Sequence, residues 1–272
     1  MPYFHSQDGL RLHYLDEGEG VAVIALAGLT RNAADFDHVQ PHMPVRLIRP
    51  DYRGRGQSDW ADHRTYTIPQ EAQDVLALMD HLGLEKTAIL GTSRGGLIAM
   101  MLAATAKDRL IGVALNDIGP EIADKGLDVI KDYIGRNPAQ KTYAEAAAFR
   151  ATNWTHFEDV PMERWLAEVR GQYQETPEGL VIRYDPKLRD AVLEAGAQPV
   201  PDLWPLFDAL AGLPLALIRG ANSDLLTAAT AGEMARRRPD MLRTDVPRRG
   251  HVPFLDEPEA LAVLQDWIGQ LT

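Results

Sequence analysis

Apolar and polar positions follow two periods along the chain, and their alternation predicts a sheet with helices between its strands. Short continuous apolar runs are typical of strands covered on both faces of a mostly parallel sheet. Such runs occupy residues 21–26, 87–90, 111–115 and 215–218, and residues 45–49 and 242–246 are predicted to be further strands. Apolar stripes at helical spacing predict helices from Thr67 to Gly83, over residues 97–104 and 228–238, and from about residue 256 to the end. Strands that alternate with helices imply parallel pairing through right-handed crossovers.

The two ends of this pattern differ from its middle. Residues 1–20 predict a hairpin at the edge of the sheet, because residues 10–15 alternate and are flanked by glycines. Residues 121–200 carry helical stretches at 143–149 and 162–169 without a strand–helix–strand unit. We therefore predict an α/β fold with a core of residues 1–118 and 201–272. Residues 119–200 are predicted to form an inserted helical cap.

Composition narrows the class of protein. The 272 residues are 45% hydrophobic and 25% charged, and no apolar run approaches the length of about 18 residues that a membrane span needs. The first residues lack the basic-then-apolar layout of a secretory signal, so the cytoplasm is the default location. A net charge of −11 argues against nucleic acid or an anionic membrane as a partner. The absence of cysteine excludes disulfides, a thiolate nucleophile and a cysteine metal site.

A serine stands where the strand of residues 87–90 gives way to a helix. Ser93 lies within Gly91-Thr92-Ser93-Arg94-Gly95, the G-x-S-x-G pattern of a nucleophile elbow. The sharp turn of such an elbow lifts the serine oxygen above the sheet, and it brings its flanks so close that only glycine fits. The elbow also opens a helix, whose N-terminus favours developing negative charge. Ser93 is therefore the predicted nucleophile.

A serine nucleophile needs a histidine base, and the base needs an orienting carboxylate. Asp224 directly follows the strand at 215–218, and His251 follows the strand at 242–246 and precedes the last helix. The order Ser, Asp, His is the one expected after a nucleophile elbow. We therefore predict the triad Ser93, Asp224 and His251. Asp117, which follows the strand at 111–115, is the alternative acid.

Two other patterns in the sequence resemble binding sites but predict none. The glycines at 54 and 56 do not complete a phosphate cradle, since Asp59 stands where the third glycine is required. His38 and His42 have helical metal-ligand spacing, but Pro41 lies between them and no acidic partner pattern is near. We expect neither a metal nor a cofactor.

The chain resembles the α/β-hydrolase fold over essentially its whole length. Residues 51–58, Asp-Tyr-Arg-Gly-Arg-Gly-Gln-Ser, are similar to the D-x-R-G-x-G-x-S loop of that family. Gly250-His251-Val252-Pro253, with Glu257-Pro258 behind it, is a further match. The resemblance is to the capped branch, which includes carboxylesterases, enol-lactonases, carbon–carbon bond hydrolases and cofactor-free haloperoxidases. It implies a mostly parallel central sheet flanked by helices, with the inserted cap.

The resemblance also implies an oxyanion hole made by the backbone amides of Leu29 and Arg94. Relatives commonly carry His-Gly before this loop, where the present chain has Ala27-Gly28. Aromatic residues of the cap, Trp154 and Tyr184 among them, are candidates to contact substrate or to form the core of the cap. The guanidinium of Arg94 is predicted either to pair with a substrate carboxylate or to turn away towards an acidic side chain of the scaffold.

These features predict a hydrolase that cleaves an ester or lactone of a small carbonyl compound through an acyl-enzyme on Ser93. Carbon–carbon bond hydrolysis and haloperoxidase-like chemistry use the same triad and remain alternatives within enzymes. A ligand receptor built on the scaffold is the alternative outside them. A serine at the elbow argues against the haloalkane dehalogenases and epoxide hydrolases, which attack with aspartate.

Overall fold

The computed structural model describes residues 2–199 and 201–271, and its centre is an eight-stranded sheet. Its strands are β1 (Tyr3–His5), β2 (Arg11–Glu17), β3 (Ala22–Leu26), β4 (Arg46–Pro50), β5 (Thr87–Thr92), β6 (Leu110–Asn116), β9 (Leu215–Gly220) and β10 (Leu242–Val246). They lie in the order β1-β2-β4-β3-β5-β6-β9-β10. The first strand pairs antiparallel with β2, and β2 pairs antiparallel with β4, whereas the remaining pairs are parallel. The predicted mainly parallel sheet is therefore confirmed.

Helices cover both faces of the sheet because the inner strands are apolar on both sides. Along β5, Ile89 packs into one apolar cluster, while Ala88 and Leu90 pack into the cluster on the opposite face. The first cluster lies beneath α1, α2, α7 and α8, and the second beneath α9. These helices are α1 (Ile68–His81), α2 (Arg94–Thr105), α7 (Trp204–Asp208), α8 (Ala228–Arg237) and α9 (Pro258–Ile268).

The segment between β6 and β9 departs from the strand–helix alternation, as the sequence indicates. It contains α3 (Asp124–Tyr133), α4 (Tyr143–Asn153), α5 (Met162–Gln172) and α6 (Leu188–Gly196). It also contains an antiparallel hairpin of β7 (Tyr173–Thr176) and β8 (Gly179–Ile182), where the sequence predicted helices alone. Four-residue strands are too short to show a clear period of two, so their pattern carried no signal. Within residues 2–199 and 201–271, no helix has both the length and the apolar character needed to cross a membrane.

The turn between β5 and α2 brings strand and helix into direct backbone contact. A Cβ atom placed on Gly91 would lie 2.5 Å from the Gly96 nitrogen and 2.6 Å from the Gly95 carbonyl oxygen. Backbone atoms cannot rotate away as side chains do, so this approach requires glycine. Gly232 provides a contrast, since it is exposed within α8 and its added Cβ would meet nothing within 4 Å.

We predict opposite effects of the same substitution at these two glycines. Gly91→Ala lowers the free energy of unfolding by about 1–3 kcal/mol or more, because the methyl group forces β5 and α2 apart. Gly232→Ala raises it by about 0.5–1 kcal/mol, because alanine favours an open helical position. Guanidinium denaturation followed by circular dichroism measures both. Equal shifts of the same sign would contradict the close approach at Gly91.

Candidate active site

Ser93 lies at the sharpest point of the turn between β5 and α2. Its backbone has φ 49° and ψ −113°, a conformation that residues other than glycine rarely adopt. The Ser93 amide donates to the Asn116 carbonyl at 2.9 Å, which ties the turn to the end of β6. Such strain persists only where the surroundings over-determine it, and it concentrates at functional sites. The backbone thus has the geometry predicted for a nucleophile elbow.

His251 stands between Ser93 and a carboxylate. Its Nε2 lies 2.9 Å from the Ser93 Oγ, and its Nδ1 lies 2.7 Å from the Oδ2 of Asp117. The imidazole is half-buried and Asp117 is fully buried. A hydroxyl, an imidazole and a carboxylate in this chain of hydrogen bonds form the arrangement that activates a serine.

The predicted pairing of Asp224 with His251 is corrected by this geometry, because the carboxylate on the imidazole belongs to Asp117. Asp224 lies on the wall of the cavity above the elbow, and its Oδ2 lies 3.9 Å from the Nε2 of His156. Its neighbour Ser223 donates instead to Asp117 Oδ2 at 2.6 Å, so the loop after β9 supports the buried carboxylate. The signal for Asp117 was its place at the end of β6, the strand beside β5.

The turn after β3 carries one of the two amides that the family resemblance assigns to an oxyanion hole. Leu29 lies in this turn, which the Arg31 amide closes by donating to the Gly28 carbonyl at 3.2 Å. Ala27 is buried, and its carbonyl accepts from the Tyr52 hydroxyl at 3.0 Å, so the turn is anchored without the histidine of the relatives. Within the described part of the chain, neither the Leu29 amide nor the Arg94 amide has a hydrogen-bond partner.

The side chain of Arg94 points away from the substrate side, so its predicted pairing with a substrate carboxylate is corrected. Its Nε lies 2.5 Å from Oε2 of the fully buried Glu71, and its Nη2 donates to the Tyr66 carbonyl at 2.9 Å. A buried carboxylate strongly favours a cationic partner, because an unpaired charge is costly away from water. The alternative stated for Arg94, a scaffold partner, is the one that the structure contains.

A cavity of about 750 Å³ opens above the elbow, between the sheet and the segment that follows β6. Ser93 and His251 form part of its floor, and the Leu29 turn forms part of its wall. Trp154 and Tyr184 both line it, so these two aromatic residues are placed where substrate contact was predicted. They also serve as packing. Trp154 meets the Trp165 ring edge-on at 5.7 Å, and the Tyr184 hydroxyl accepts from the Gly135 amide at 3.0 Å.

A group of charged side chains also lines this cavity, a feature that sequence reasoning missed. Arg31 donates through Nε to Asp35 at 2.7 Å and through Nη2 to Glu168 at 2.6 Å. Burial raises the pKa of Asp35 to about 6, with Arg31 opposing the rise and Glu168 adding to it. Arg150 on α4 joins this wall beside Gln172. No local pattern marks the group, because its members come from the turn after β3, the short helix Ala33–Phe36, α4 and α5.

Comparison with known proteins gives a consistent family. The model of the alpha/beta hydrolase family matches residues 23–264. The 3-hydroxybutyrate-oligomer hydrolase of Cupriavidus necator is 36% identical over 253 residues, which cover 89% of this chain and 86% of that protein. The 2-(acetamidomethylene)succinate hydrolase of Mesorhizobium japonicum is 25% identical, covering 92% of this chain and 88% of that protein.

A crystal structure of an alpha/beta hydrolase from Novosphingobium aromaticivorans superposes with a TM-score of 0.92 at 39% identity. The match covers 99% of this chain and 97% of that chain. The family model thus spans most of the sequence, and both the sequence and the structure comparisons agree with it. The chain belongs to the alpha/beta hydrolase family and is an enzyme with hydrolase activity.

Proposed function

We propose that the chain is a serine hydrolase that cleaves a carboxylic ester or lactone of a small molecule through an acyl-enzyme on Ser93. The observation that carries the proposal is the continuous hydrogen-bond chain from Ser93 Oγ through His251 to Asp117, at the floor of the cavity. The same chain of residues supports both halves of the reaction.

In the first half, Ser93 Oγ attacks the carbonyl carbon of the ester while His251 Nε2 takes the hydroxyl proton. Asp117 accepts from Nδ1–H, which leaves Nε2 free to act as the base and stabilises the imidazolium that forms. The tetrahedral intermediate then collapses. Its carbon–oxygen bond to the leaving alcohol breaks, and His251 returns the proton to that oxygen.

Negative charge develops on the former carbonyl oxygen during the attack, and the unpaired amides of Leu29 and Arg94 are the donors assigned to it. The Arg94 amide opens α2, where the helix dipole adds to the stabilisation. In the second half, His251 takes a proton from water, and the resulting nucleophile attacks the acyl carbon. Ser93 Oγ leaves with the proton held by His251, which releases the acid.

The comparisons support an ester as the reacting group. A 3-hydroxybutyrate oligomer, named for the relative from Cupriavidus necator, is a linear ester of a hydroxy acid. The cavity of about 750 Å³ admits such a small linear molecule, with Trp154 and Tyr184 as apolar walls. Residues 119–200 act in this proposal as the cap that encloses the substrate.

We expect Ser93→Ala to lower kcat on aryl esters by about a millionfold, since a triad without its nucleophile retains little catalysis. The free energy of unfolding changes little, because Ser93 Oγ makes its hydrogen bond to His251 alone among the described residues. Steady-state assays measure the first effect, and a fluorophosphonate probe that labels wild type at Ser93 is the control. Turnover of vinylogous 1,5-diketones without turnover of any ester would instead favour carbon–carbon bond hydrolysis.

The two candidate acids are separated by the same isosteric change. Asp117→Asn lowers kcat by about ten-thousandfold, because the amide no longer fixes the imidazole in the reactive tautomer. Asp224→Asn serves as the matched control and keeps kcat within about fivefold, because the carboxylate bonded to the imidazole Nδ1 is that of Asp117. Both are measured on one aryl ester. The reverse ranking would return the role of the acid to Asp224.

A further inference from the structure

Arg150 on α4 is a buried cation on the wall of the catalytic cavity. It is 4% exposed and lines the cavity together with Ser93 and His251. Its Nη2 donates to Gln172 Oε1 and lies 3.4 Å from the Tyr173 hydroxyl, while its buried Nη1 has no hydrogen-bond partner in residues 2–199 and 201–271. An unsatisfied donor of this kind costs free energy unless a ligand meets it.

The neighbouring Arg31 lines the same cavity, and its guanidinium has carboxylate partners. Arg31 is paired with Asp35 and Glu168, and the two carboxylates outweigh burial and raise its pKa. Arg150 forms no salt bridge with any carboxylate of the described residues, and burial lowers its pKa. Asp35 and Glu168 both form their hydrogen bonds with Arg31, so they act on Arg150 only through space, and the Arg150 guanidinium has no carboxylate hydrogen-bond partner among the described residues.

A second donor lies beside Arg150. The Oε1 of Gln172 accepts from the guanidinium, which has no acceptor atom, so the amide orientation is fixed and Nε2 remains as a donor. That Nε2 is also buried and has no partner in the described part of the chain. Two adjacent donor groups, one of them charged, match an acceptor with two oxygens.

The surroundings hold the guanidinium in place. Its carbon lies 4.7 Å from the centre of the Trp154 ring and 5.5 Å from that of the Tyr173 ring. Contact with aromatic faces attracts the cation and restrains the guanidinium. The net charge of −11 works against anionic ligands at long range, so an anionic substrate requires a local cation of this kind.

We propose that Arg150, assisted by Gln172, binds a free carboxylate of the substrate and thereby selects esters that carry an acid group away from the scissile carbonyl. The inference rests on the ester hydrolysis proposed above and names its substrate class. A linear hydroxy-acid oligomer ends in such a group. Arg150 is a specificity-determining residue in this assignment and takes no part in the transfer of protons.

The test compares two esters that differ in charge and hardly in shape, monoethyl adipate and its neutral amide, ethyl adipamate. Wild type prefers the anionic ester in kcat/KM, and Arg150→Gln lowers the ratio of the two kcat/KM values by about ten- to hundredfold. Arg150→Lys keeps the charge and loses the planar guanidinium, so its ratio lies between those of wild type and Arg150→Gln. Wild type that prefers the neutral ester overturns the proposal even if the variants fail to fold.

Arg136→Gln is the matched control, because Arg136 lines the same cavity but is exposed. Removing an exposed, screened charge changes the ratio by less than about threefold. An equal fall of the ratio in Arg150→Gln and Arg136→Gln would mean that the summed positive charge around the cavity, and not Arg150 in particular, attracts the substrate carboxylate. An equal loss on both esters in Arg150→Gln would mean that Arg150 only packs its segment. Either result overturns the assignment.

A binding measurement separates this inference from the proposed function. Titration calorimetry of the Ser93→Ala protein with monoethyl adipate detects the carboxylate site without hydrolysis, and adding Arg150→Gln weakens that binding about ten- to hundredfold. Binding through Arg150 in a protein that hydrolyses no ester would support the site and contradict the esterase. Hydrolysis of both esters with a ratio that Arg150→Gln leaves unchanged would do the opposite.

Discussion

The buried carboxylate of Asp117 accepts hydrogen bonds from the Gly220 amide at 2.8 Å, the Ser223 hydroxyl at 2.6 Å and His251 Nδ1 at 2.7 Å. A carboxylate without water must be satisfied in this way. Asp117 follows β6, Gly220 ends β9 and His251 lies in the loop after β10, so one side chain joins the segments at the ends of three strands. The same bonds orient the imidazole towards Ser93, so the stability of this edge of the sheet and the geometry of the site depend on one group.

This dependence explains which part of the site the sequence could predict. Ser93 and His251 lie in local patterns, a strand–turn–helix and the loop before the last helix, that fix their place without knowledge of their neighbours. The acid lies in no such pattern, because Asp117 and Asp224 both follow strands and both stand between Ser93 and His251 in the chain. The two aspartates differ in where their strands lie across the sheet. Strand β6 lies beside β5, whereas β9 lies one strand further away, and the order of strands is a tertiary property.

The same contrast between local and tertiary information applies to the two arginines. Arg94 is adjacent to the nucleophile in sequence, yet the fully buried Glu71 takes up its guanidinium. The charge of Glu71 is also met by Arg55, with Nη1 and Oε1 3.0 Å apart. Arg150 is far from the nucleophile in sequence, and the packing of α4 brings it to the cavity. Proximity to Ser93 along the chain did not indicate which arginine lines the cavity, because a buried carboxylate pairs with the cation that packs against it in the fold.

The core and the segment after β6 are joined through the turn that carries the Leu29 amide. Arg31, two residues further on, is held by Glu168 of α5, and Asn32 donates to the Gly171 carbonyl at 2.8 Å. These bonds hold the turn, and the residue that follows it, to α5. On the side of the sheet, the Tyr52 hydroxyl donates to the Ala27 carbonyl. The oxyanion role proposed for the Leu29 amide needs this restraint, since a donor displaced by about 1 Å loses much of its effect on the developing charge. The pairing of Arg31 with both acids therefore has two consequences, since it positions the turn and leaves the Arg150 guanidinium without a carboxylate hydrogen-bond partner among the described residues.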